Sequence, residues 1–272
     1  MDNNKVAVVC IARMEGRYIR EWVEHYKNLG FDKAIICDNN FGDEEHYDEL
    51  LKDYINQGFV IIEDVRDKQG FQMKCYNIIY GKYKNDFSWM LMCDVDEFLT
   101  FTKDKDVKEF LSRFPDDAEV VVANWAQYGD NGQIYADYSR PVQERFTEPR
   151  PNAMSQYNFV DDCHIKSFVK GGLPFVTWIS NPHIPTNPLV CYNAKGERCQ
   201  DSPFQPVDHT VAYFKHYTCK SLQEYCENKL RRGTADRPYD VFLKTYVNRF
   251  FRINEVTPEK LAYLDRNGIK GI

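Results

Sequence analysis

Ser88-Trp89-Met90-Leu91-Met92-Cys93-Asp94-Val95-Asp96-Glu97-Phe98-Leu99 is the stretch whose reading decides the fold. An apolar run ends abruptly in carboxylates. The run is short and carries an aromatic residue, which suits a buried strand better than a helix. Side chains alternate along a strand, so the spacing predicts Asp94 and Asp96 on one face and Val95 on the other. Two carboxylates on one face repel unless something positive lies between them. A hard divalent cation, Mg²⁺ or Mn²⁺, is the natural partner because such ions prefer oxygen ligands. In open α/β sheets, ligands bind beyond the carboxyl ends of the strands. A solvated acidic turn after a core strand is the competing explanation, and the flanking sequence has to choose.

Upstream, Lys5 to Ala12 is a continuous apolar run, as in a parallel strand buried on both faces. Ile19, Trp22, Val23, Tyr26 and Leu29 then recur at helical spacing, and Gly30 closes that helix. A strand at Ala34–Cys37 ends in Asp38. A helix over about Glu44 to Ile55 leads to a strand at Phe59–Ile62, which ends in Glu63-Asp64. A further helix, roughly Gln69 to Tyr83, precedes the Trp89 strand. The order β-α-β-α-β-α-β argues for an α/β fold with a mainly parallel sheet and helices on its faces. Three of its four strands end in acid (Asp38, Asp64 and Asp94/Asp96), all at one sheet edge. That clustering favours a functional site over a chance acidic turn.

Downstream, Asp106 followed by Glu109 has the form of a helix N-terminus, with the helix running to about Phe114. Strands are expected at Glu119–Ala123, Val142–Phe146 and Ile165–Val169, and an aromatic loop over Trp125–Gly132. Residues 179–207 carry five prolines and read as an irregular segment. Ser221-Leu222-Gln223-Glu224 is a capping box that opens a helix to about Arg232. Val241–Phe251 looks helical, and Thr257-Pro258 starts a last short helix.

Bulk properties exclude several classes. The 272 residues are 43% hydrophobic and 28% charged, which allows one large folded domain, or one domain with an appendage. The formal charge is −6, and the densest basic cluster is Lys229-Leu230-Arg231-Arg232. That argues against nucleic-acid binding. No apolar run approaches the roughly 18 residues of a membrane span, and the first residues do not read as a signal peptide. The expected location is cytoplasmic, with peripheral contact at the inner membrane face at most. The nine cysteines include no Cys-x-x-Cys pair and read as reduced thiols. Cys191, Cys199 and His209 are too loosely spaced to argue for a metal site. The dinucleotide fingerprint and the Walker loop are both absent, so a phosphorylated ligand would have its charge met by a metal. Asp38 or Asp64 would accept hydrogen bonds from a base or ribose.

Val8-Val9-Cys10-Ile11-Ala12-Arg13-Met14-Glu15 and Tyr18-Ile19-Arg20-Glu21-Trp22-Val23-Glu24-His25-Tyr26 come first in an ordered set of matches. Cys37-Asp38-Asn39-Asn40, Cys93-Asp94-Val95-Asp96-Glu97-Phe98-Leu99, Asn124-Trp125, Tyr128-Gly129 and Glu144-Arg145-Phe146 follow. Lys166-Ser167, Asn181-Pro182-His183, His216-Tyr217, Lys220-Ser221 and Arg232-Gly233 complete it. Together they resemble an A-type-fold glycosyltransferase of the bacterial family-2-like group related to glycosyltransferase family 92, over about Lys5 to Asp236. Arg13-Met14-Glu15 departs from the more usual Lys-Asn-Glu-like run, and Pro188–Pro206 matches no landmark.

The resemblance implies a Rossmann-like nucleotide-sugar-binding domain over 1–218, with a nucleotide half to about residue 100, an acceptor half from 101, and a helical extension over 219–272. It implies a UDP-sugar donor held by Ala12, Arg13, Glu15, Asp38, Asp64, Lys74, Asp94 and Val95. Mn²⁺ or Mg²⁺ would sit on Asp94 and Asp96 with a C-terminal histidine, His216 first and His183 second. Glu144, Asp162 and Asp161 are the candidates for a general base, as an inverting enzyme needs; a structural ion pair from Glu144 to Arg145 or Lys166 is the alternative. Trp125 and Tyr128 are candidates to stack on a sugar, with a core role for Trp125 as the sober alternative. The implied activity is hexose transfer, galactose by analogy, to a glycan acceptor, lipid-linked in capsule or lipopolysaccharide synthesis. A non-catalytic nucleotide-sugar or glycan-binding module is the rival. An Asp-x-Asp phosphatase is disfavoured because the motif follows the fourth strand and continues into Glu97-Phe98. A pyrophosphorylase is disfavoured because the first loop is neither glycine-rich nor basic.

Overall fold

The computed structural model describes residues 4–150, 160–230 and 243–269. The chain divides into two compact units. The first comprises Met1–Trp125 and Cys163–Phe214, the second Ala126–Asp162 and Lys215–Ile272. The second unit thus includes residues 126–162, which the sequence reading places in the acceptor half. The matched landmark Arg232-Gly233, and the arginines of the basic cluster, lie outside the described residues.

The first unit is α/β, as the alternation predicts. Strands β1 (Val6–Ala12), β2 (Lys33–Asp38), β3 (Val60–Asp64) and β4 (Trp89–Met92) lie in the order β3-β2-β1-β4. All three contacts are parallel, with Ala12 opposite Asp38 and Asp38 opposite Asp64. β1 is enclosed on both faces, so it has no polar alternation to show. Helix α1 (Ile19–Asn28) buries Ile19, Trp22, Val23 and Tyr26. Each such side chain contributes about 1.5–3 kcal/mol on burial. Gly30 follows at φ +82, a conformation that glycine adopts without a Cβ clash. Helix α4 (Gln72–Tyr83) covers the sheet with Cys75, Tyr76, Ile79 and Tyr80, which pack on Val9, Ile35 and Met90.

The structure corrects several expected elements. The helix expected over 44–55 is two short ones, α2 (Tyr47–Leu50) and α3 (Lys52–Asn56), because Leu51 leaves the helical region between them. Asp106 caps helix α5 (Val107–Leu111), accepting from Glu109 N at 2.8 Å. Residues 142–146 are not a strand but a turn of helix, α6 (Val142–Arg145), where Pro141 supplies a pre-set φ of −56 at the N-cap. Strand β6 (Val120–Gln127) runs through Trp125 into the expected aromatic loop.

Three strands were not anticipated: β5 (Glu97–Phe101), β8 (Cys191–Asn193) inside the proline-rich segment, and β9 (Ala212–His216). With β7 (Ile165–Lys170) they complete a sheet of nine described strands, in the order β3-β2-β1-β4-β7-β6-β9-β5 with β8 against β6. β7 runs antiparallel to both β4 and β6. Gly171, at the end of β7, sits so close to β4's start that an added Cβ would meet Phe87 O at 1.8 Å.

In the second unit, Ser221 and Glu224 form the predicted capping box of helix α7 (Leu222–Tyr225). That helix passes into a π-helical turn, Cys226–Leu230. Helices α8 (Leu243–Ile253) and α9 (Pro258–Arg266) follow, the latter capped by Thr257 with proline at its start, as expected. Leu222, Tyr225, Leu230, Val247, Phe250, Ile253 and Leu264 form this unit's core.

Candidate active site

The acidic motif occupies a turn between β4 and β5, not a strand. β4 stops at Met92, and Glu97 N donates back to Asp94 O at 3.1 Å. Strand alternation therefore does not extend to residues 94–96. Asp94 stays half-buried while Val95 and Asp96 are both buried, and the strand on which the same-face expectation for the two aspartates rests ends before them. Helix α1 grips this turn by its backbone. Trp22 Nε1 donates to Asp94 O (3.1 Å), Tyr26 OH to Glu97 O (3.0 Å), and the His25 ring to Leu99 O (2.8 Å). The buried face of α1 is thus also the scaffold of the acidic turn.

A lysine completes the cluster. Lys166 on β7 is wholly buried, with Nζ 2.7 Å from Asp94 Oδ2 and 3.3 Å from Glu97 Oε2. Asp94 Oδ1 accepts from Gln72 Nε2 (3.0 Å), in the first turn of α4. Glu97 Oε2 also accepts from Asp94 N (2.9 Å). Burial opposes the charge on Lys166, but Asp94 and Glu97 outweigh it and hold the ammonium above its ordinary range. Glu97 responds in the other direction: burial pushes its carboxyl well up, and Lys166 only partly offsets that. Asp94 makes the shorter contact with the lysine, and burial drives the Glu97 carboxyl toward its protonated form. Part of the positive charge that the sequence demands here comes from the protein itself.

The remaining donors suit a hard cation. Glu97 Oε1 is buried with no hydrogen-bond partner among the described residues. One carboxylate oxygen of Asp96 lies within 4.8 Å of one of Glu97. Buried oxygen donors of this kind fit Mg²⁺ or Mn²⁺.

The cluster stands at the point where the strand order reverses. From β1 the chain winds outward to β2 and β3, then returns to place β4 on β1's other side. Such switch points are where open α/β sheets bind ligands. The loop after β1 borders it. There Ala12 O accepts from Asn39 N (2.9 Å), and Met14, at φ +53, donates its N–H to Asn40 Oδ1 (2.8 Å). Arg13 lies over the Phe41 ring and forks onto Glu44 at 2.8 and 2.9 Å. Glu15 is buried, and its N–H donates to Tyr47 OH (3.0 Å).

A profile of glycosyltransferase family 92 matches residues 5–247. The chain belongs to glycosyltransferase family 92. It is 32% identical over 88 residues to galactan β-1,4-galactosyltransferase GALS3 of Arabidopsis thaliana, a match covering 30% of this chain and 18% of that protein. GALS2 of the same plant is 31% identical over 88 residues, covering 30% and 17%. The chain therefore matches less than a fifth of the length of these relatives. Among solved structures it is similar to S. aureus TarS, at TM-score 0.45 and 13% identity over 94% of this chain and 46% of that one. The complex of TarS 1-349 with UDP-GlcNAc gives TM-score 0.46 at 10% identity, over 94% and 77%.

The other first-unit candidates of this family-92 chain make contacts of their own. Asp38 lies at the β2 end, but Oδ1 accepts from Asn40 and Oδ2 pairs with Arg66 at 2.9 Å. Asp64 is exposed and accepts from Arg66 N (3.0 Å). Lys74 is exposed on α4, with its Nζ 5.5 Å from the Phe71 ring centroid. His183 Nδ1 donates to Ile165 O (2.9 Å), and its ring meets Trp125 edge-on at 5.0 Å. Trp125 is buried and stacks on His164 at 4.7 Å, which supports its core role.

In the second unit, His216 ends β9, buried, its carbonyl accepting from Tyr128 N (3.0 Å) and Gln127 Nε2 (3.2 Å). Tyr128 is also buried, with its ring 4.9 Å from Tyr217. Asp161 and Asp162 share a 3-10 turn, both buried. Asp162 Oδ1 accepts from Gln127 N (2.8 Å), and burial pushes its carboxyl up to about 7. Glu144 is 62% exposed and lies 3.9 Å from Arg140. The expected partners of Glu144 are committed elsewhere: Arg145 forks onto Glu224 at 2.8 Å, and Lys166 serves Asp94 and Glu97. Sequence reasoning gave Lys166, Gln72 and Glu97 no role at the site. A lone lysine inside the apolar run Ile165–Val169 was the available signal, since a buried ammonium requires an acid.

Proposed function

We propose that this chain transfers a hexose from a UDP-sugar to a glycan acceptor with inversion, and that a divalent cation at Asp96 and Glu97 assists. The observation that carries this reading is the buried carboxylate pair at the switch point, with one Glu97 oxygen unpartnered among the described residues. Family membership supports the glycosyl transfer. Galactose rests on the partial likeness to galactan galactosyltransferases and is an analogy.

When bound, the cation supplies Lewis acidity against the negative charge that develops on a departing diphosphate. The chain's own residues do the rest. Lys166 and Gln72 fix both oxygens of Asp94, and α1 fixes the backbone of the same turn, so the carboxylates meet the ligand without reorganising. For the base, Asp162 replaces Glu144 as first choice. A base works best with a pKa near the operating pH, and burial pushes the Asp162 carboxyl up to about 7. The resemblance adds a histidine to the cation, His216 before His183, and Mn²⁺ titration of His216→Ala and His183→Ala chains separates the two. The acceptor is proposed to be a surface polysaccharide or its lipid-linked precursor, met at the inner membrane face. Among the described residues no helix is long and apolar enough to cross a membrane.

The test is nucleotide release from a panel of nucleotide sugars with Mn²⁺ and a range of acceptors, repeated with chelator and with Asp96→Ala. Release that survives both removes the cation from the reading. No release from any donor favours a non-catalytic module that binds UDP-sugar without turning it over.

A further inference from the structure

The hairpin built on β8 holds two thiols face to face. Asn193 N donates to Glu197 O (2.9 Å) and Cys199 N to Cys191 O (3.0 Å), with Tyr192 and Arg198 bridged between them. Gly196 turns the chain at φ +86. This register places Cys191 opposite Cys199, with their Sγ atoms 3.1 Å apart. Residues opposed across an antiparallel pair have Cα atoms about 4.5–5.5 Å apart, inside the span a disulfide bridges. Cys191 is buried and Cys199 is partly exposed. Cys37 on β2 and Cys75 on α4 differ: both thiols are wholly buried between the sheet and that helix, out of a solute's reach.

We propose that Cys191 and Cys199 are a redox-modification site that closes to an intramolecular disulfide by exchange with a small-molecule disulfide. The site is independent of the glycosyl-transfer reading. The two thiols divide the work. The neighbouring Cys191 thiol draws Cys199 below the ordinary thiol range, while the same contact and burial push Cys191 up. Cys199, as thiolate, attacks one sulfur of the small disulfide, which expels the other half as a thiolate. Cys191 gives its proton to a departing thiolate and attacks the Cys199 sulfur, releasing the second half. Two protein thiols are oxidised and one small disulfide is reduced to two thiols, with protons in balance.

Closure would tie the leg beyond Cys199 to β8, and through β8 to β6, with which it pairs from Val120↔Cys191. That leg carries Phe204, packed on His164 at 4.9 Å, and Gln205, whose N–H donates to Cys163 O (2.8 Å). The staple therefore stiffens the irregular segment that lines Trp125 and His164.

The experiment equilibrates the full chain in glutathione–glutathione disulfide mixtures, alkylates the remaining thiols and maps them by peptide mass spectrometry. Two of the nine cysteines should lose alkylation together and appear as one linked Cys191–Cys199 peptide. Cys191→Ser should trap a stable glutathione adduct on Cys199, and Cys199→Ser should leave Cys191 unlinked, each variant first shown to be folded by circular dichroism. The wild-type map decides the matter even if Cys191→Ser does not fold. Both positions still alkylated at the most oxidising ratio would overturn the proposal. So would an adduct that accumulates on the wild-type chain without closing, or linkage to another cysteine.

Discussion

Replacing Lys166 by methionine keeps an unbranched side chain, one atom shorter, and removes its charge. The ammonium is wholly enclosed, 2.7 Å from Asp94 and 3.3 Å from Glu97. Deleting one partner of a buried ion pair costs about 3–5 kcal/mol, because the other partner is left charged in a dry site. Here two carboxylates are left, but they are unequal. Asp94 is 35% exposed on its side chain and retains Gln72, whereas Glu97 is fully enclosed. Most of the loss should therefore fall on Glu97.

That assignment has a pH signature. Lys166 is held above its ordinary value, so its stabilising contribution is complete below about pH 10.4 and declines only as pH rises through its folded value. Between pH 5.5 and 8.5 it is constant. Glu97 is pushed up already, and loss of the lysine pushes it further. A carboxyl raised in the folded state costs stability as pH rises, because the unfolded chain ionises first. Lys166→Met should thus lose less at pH 5.5 than at pH 8.5. The double variant Glu97→Gln/Lys166→Met should recover at least half of the loss, since a neutral pair replaces a stranded charge. Urea unfolding in the presence of chelator measures all four corners of the cycle. A single variant costing under about 1 kcal/mol, or a double variant no better than the single, would refute the reasoning.

Asp96→Asn should weaken Mn²⁺ binding by calorimetry and lower nucleotide release by about 100-fold or more, with the fold retained. Asp162 is protonated in the folded chain until about pH 7, while the unfolded chain ionises near pH 4, so its burial costs stability as pH rises through that window. Asp162→Asn should consequently exceed wild type in unfolding free energy at pH 8, by roughly 1–3 kcal/mol after allowance for solvent, with the advantage gone by pH 4 in urea unfolding. The same substitution should abolish the rise of turnover with pH around 7, whereas Glu144→Gln should leave that limb in place. Arg145→Lys should cost roughly 2–4 kcal/mol in urea unfolding, because an ammonium cannot reproduce the two-pronged contact on Glu224.

The parallel half of the fold was legible because its strands are unbroken apolar runs and its helices keep a 3.6-residue rhythm. β1 and α1 show this best. Caps were legible for a local reason: Ser221, Asp106 and Thr257 each bond to an N–H three residues on. The failures were non-local. β5 and β9 are only five residues each, too short for a decisive periodicity, so each is fixed by its neighbours in the sheet rather than by its own sequence. Four residues of α6 can read either way, and Pro141 was the overlooked cue. At the site, the acidic motif was found from the apolar run that precedes it. Its lysine was not, because Lys166 lies 72 residues away and meets Asp94 only through the pairing of β4 with β7.

That pairing also governs how the chain fares as it leaves the ribosome. β4 is complete at Met92, but the strand that covers its outer edge begins at Ile165. At about 5–20 residues per second, several seconds of synthesis separate the two. Throughout that interval the nascent half-sheet presents Trp89-Met90-Leu91-Met92 as a bare, apolar edge, the kind of surface that recruits strands from other chains. Holdase chaperones should therefore engage nascent chains halted within this window and release those extended past residue 170. The step that delivers Lys166 to the acidic turn is the same one that ends the exposure.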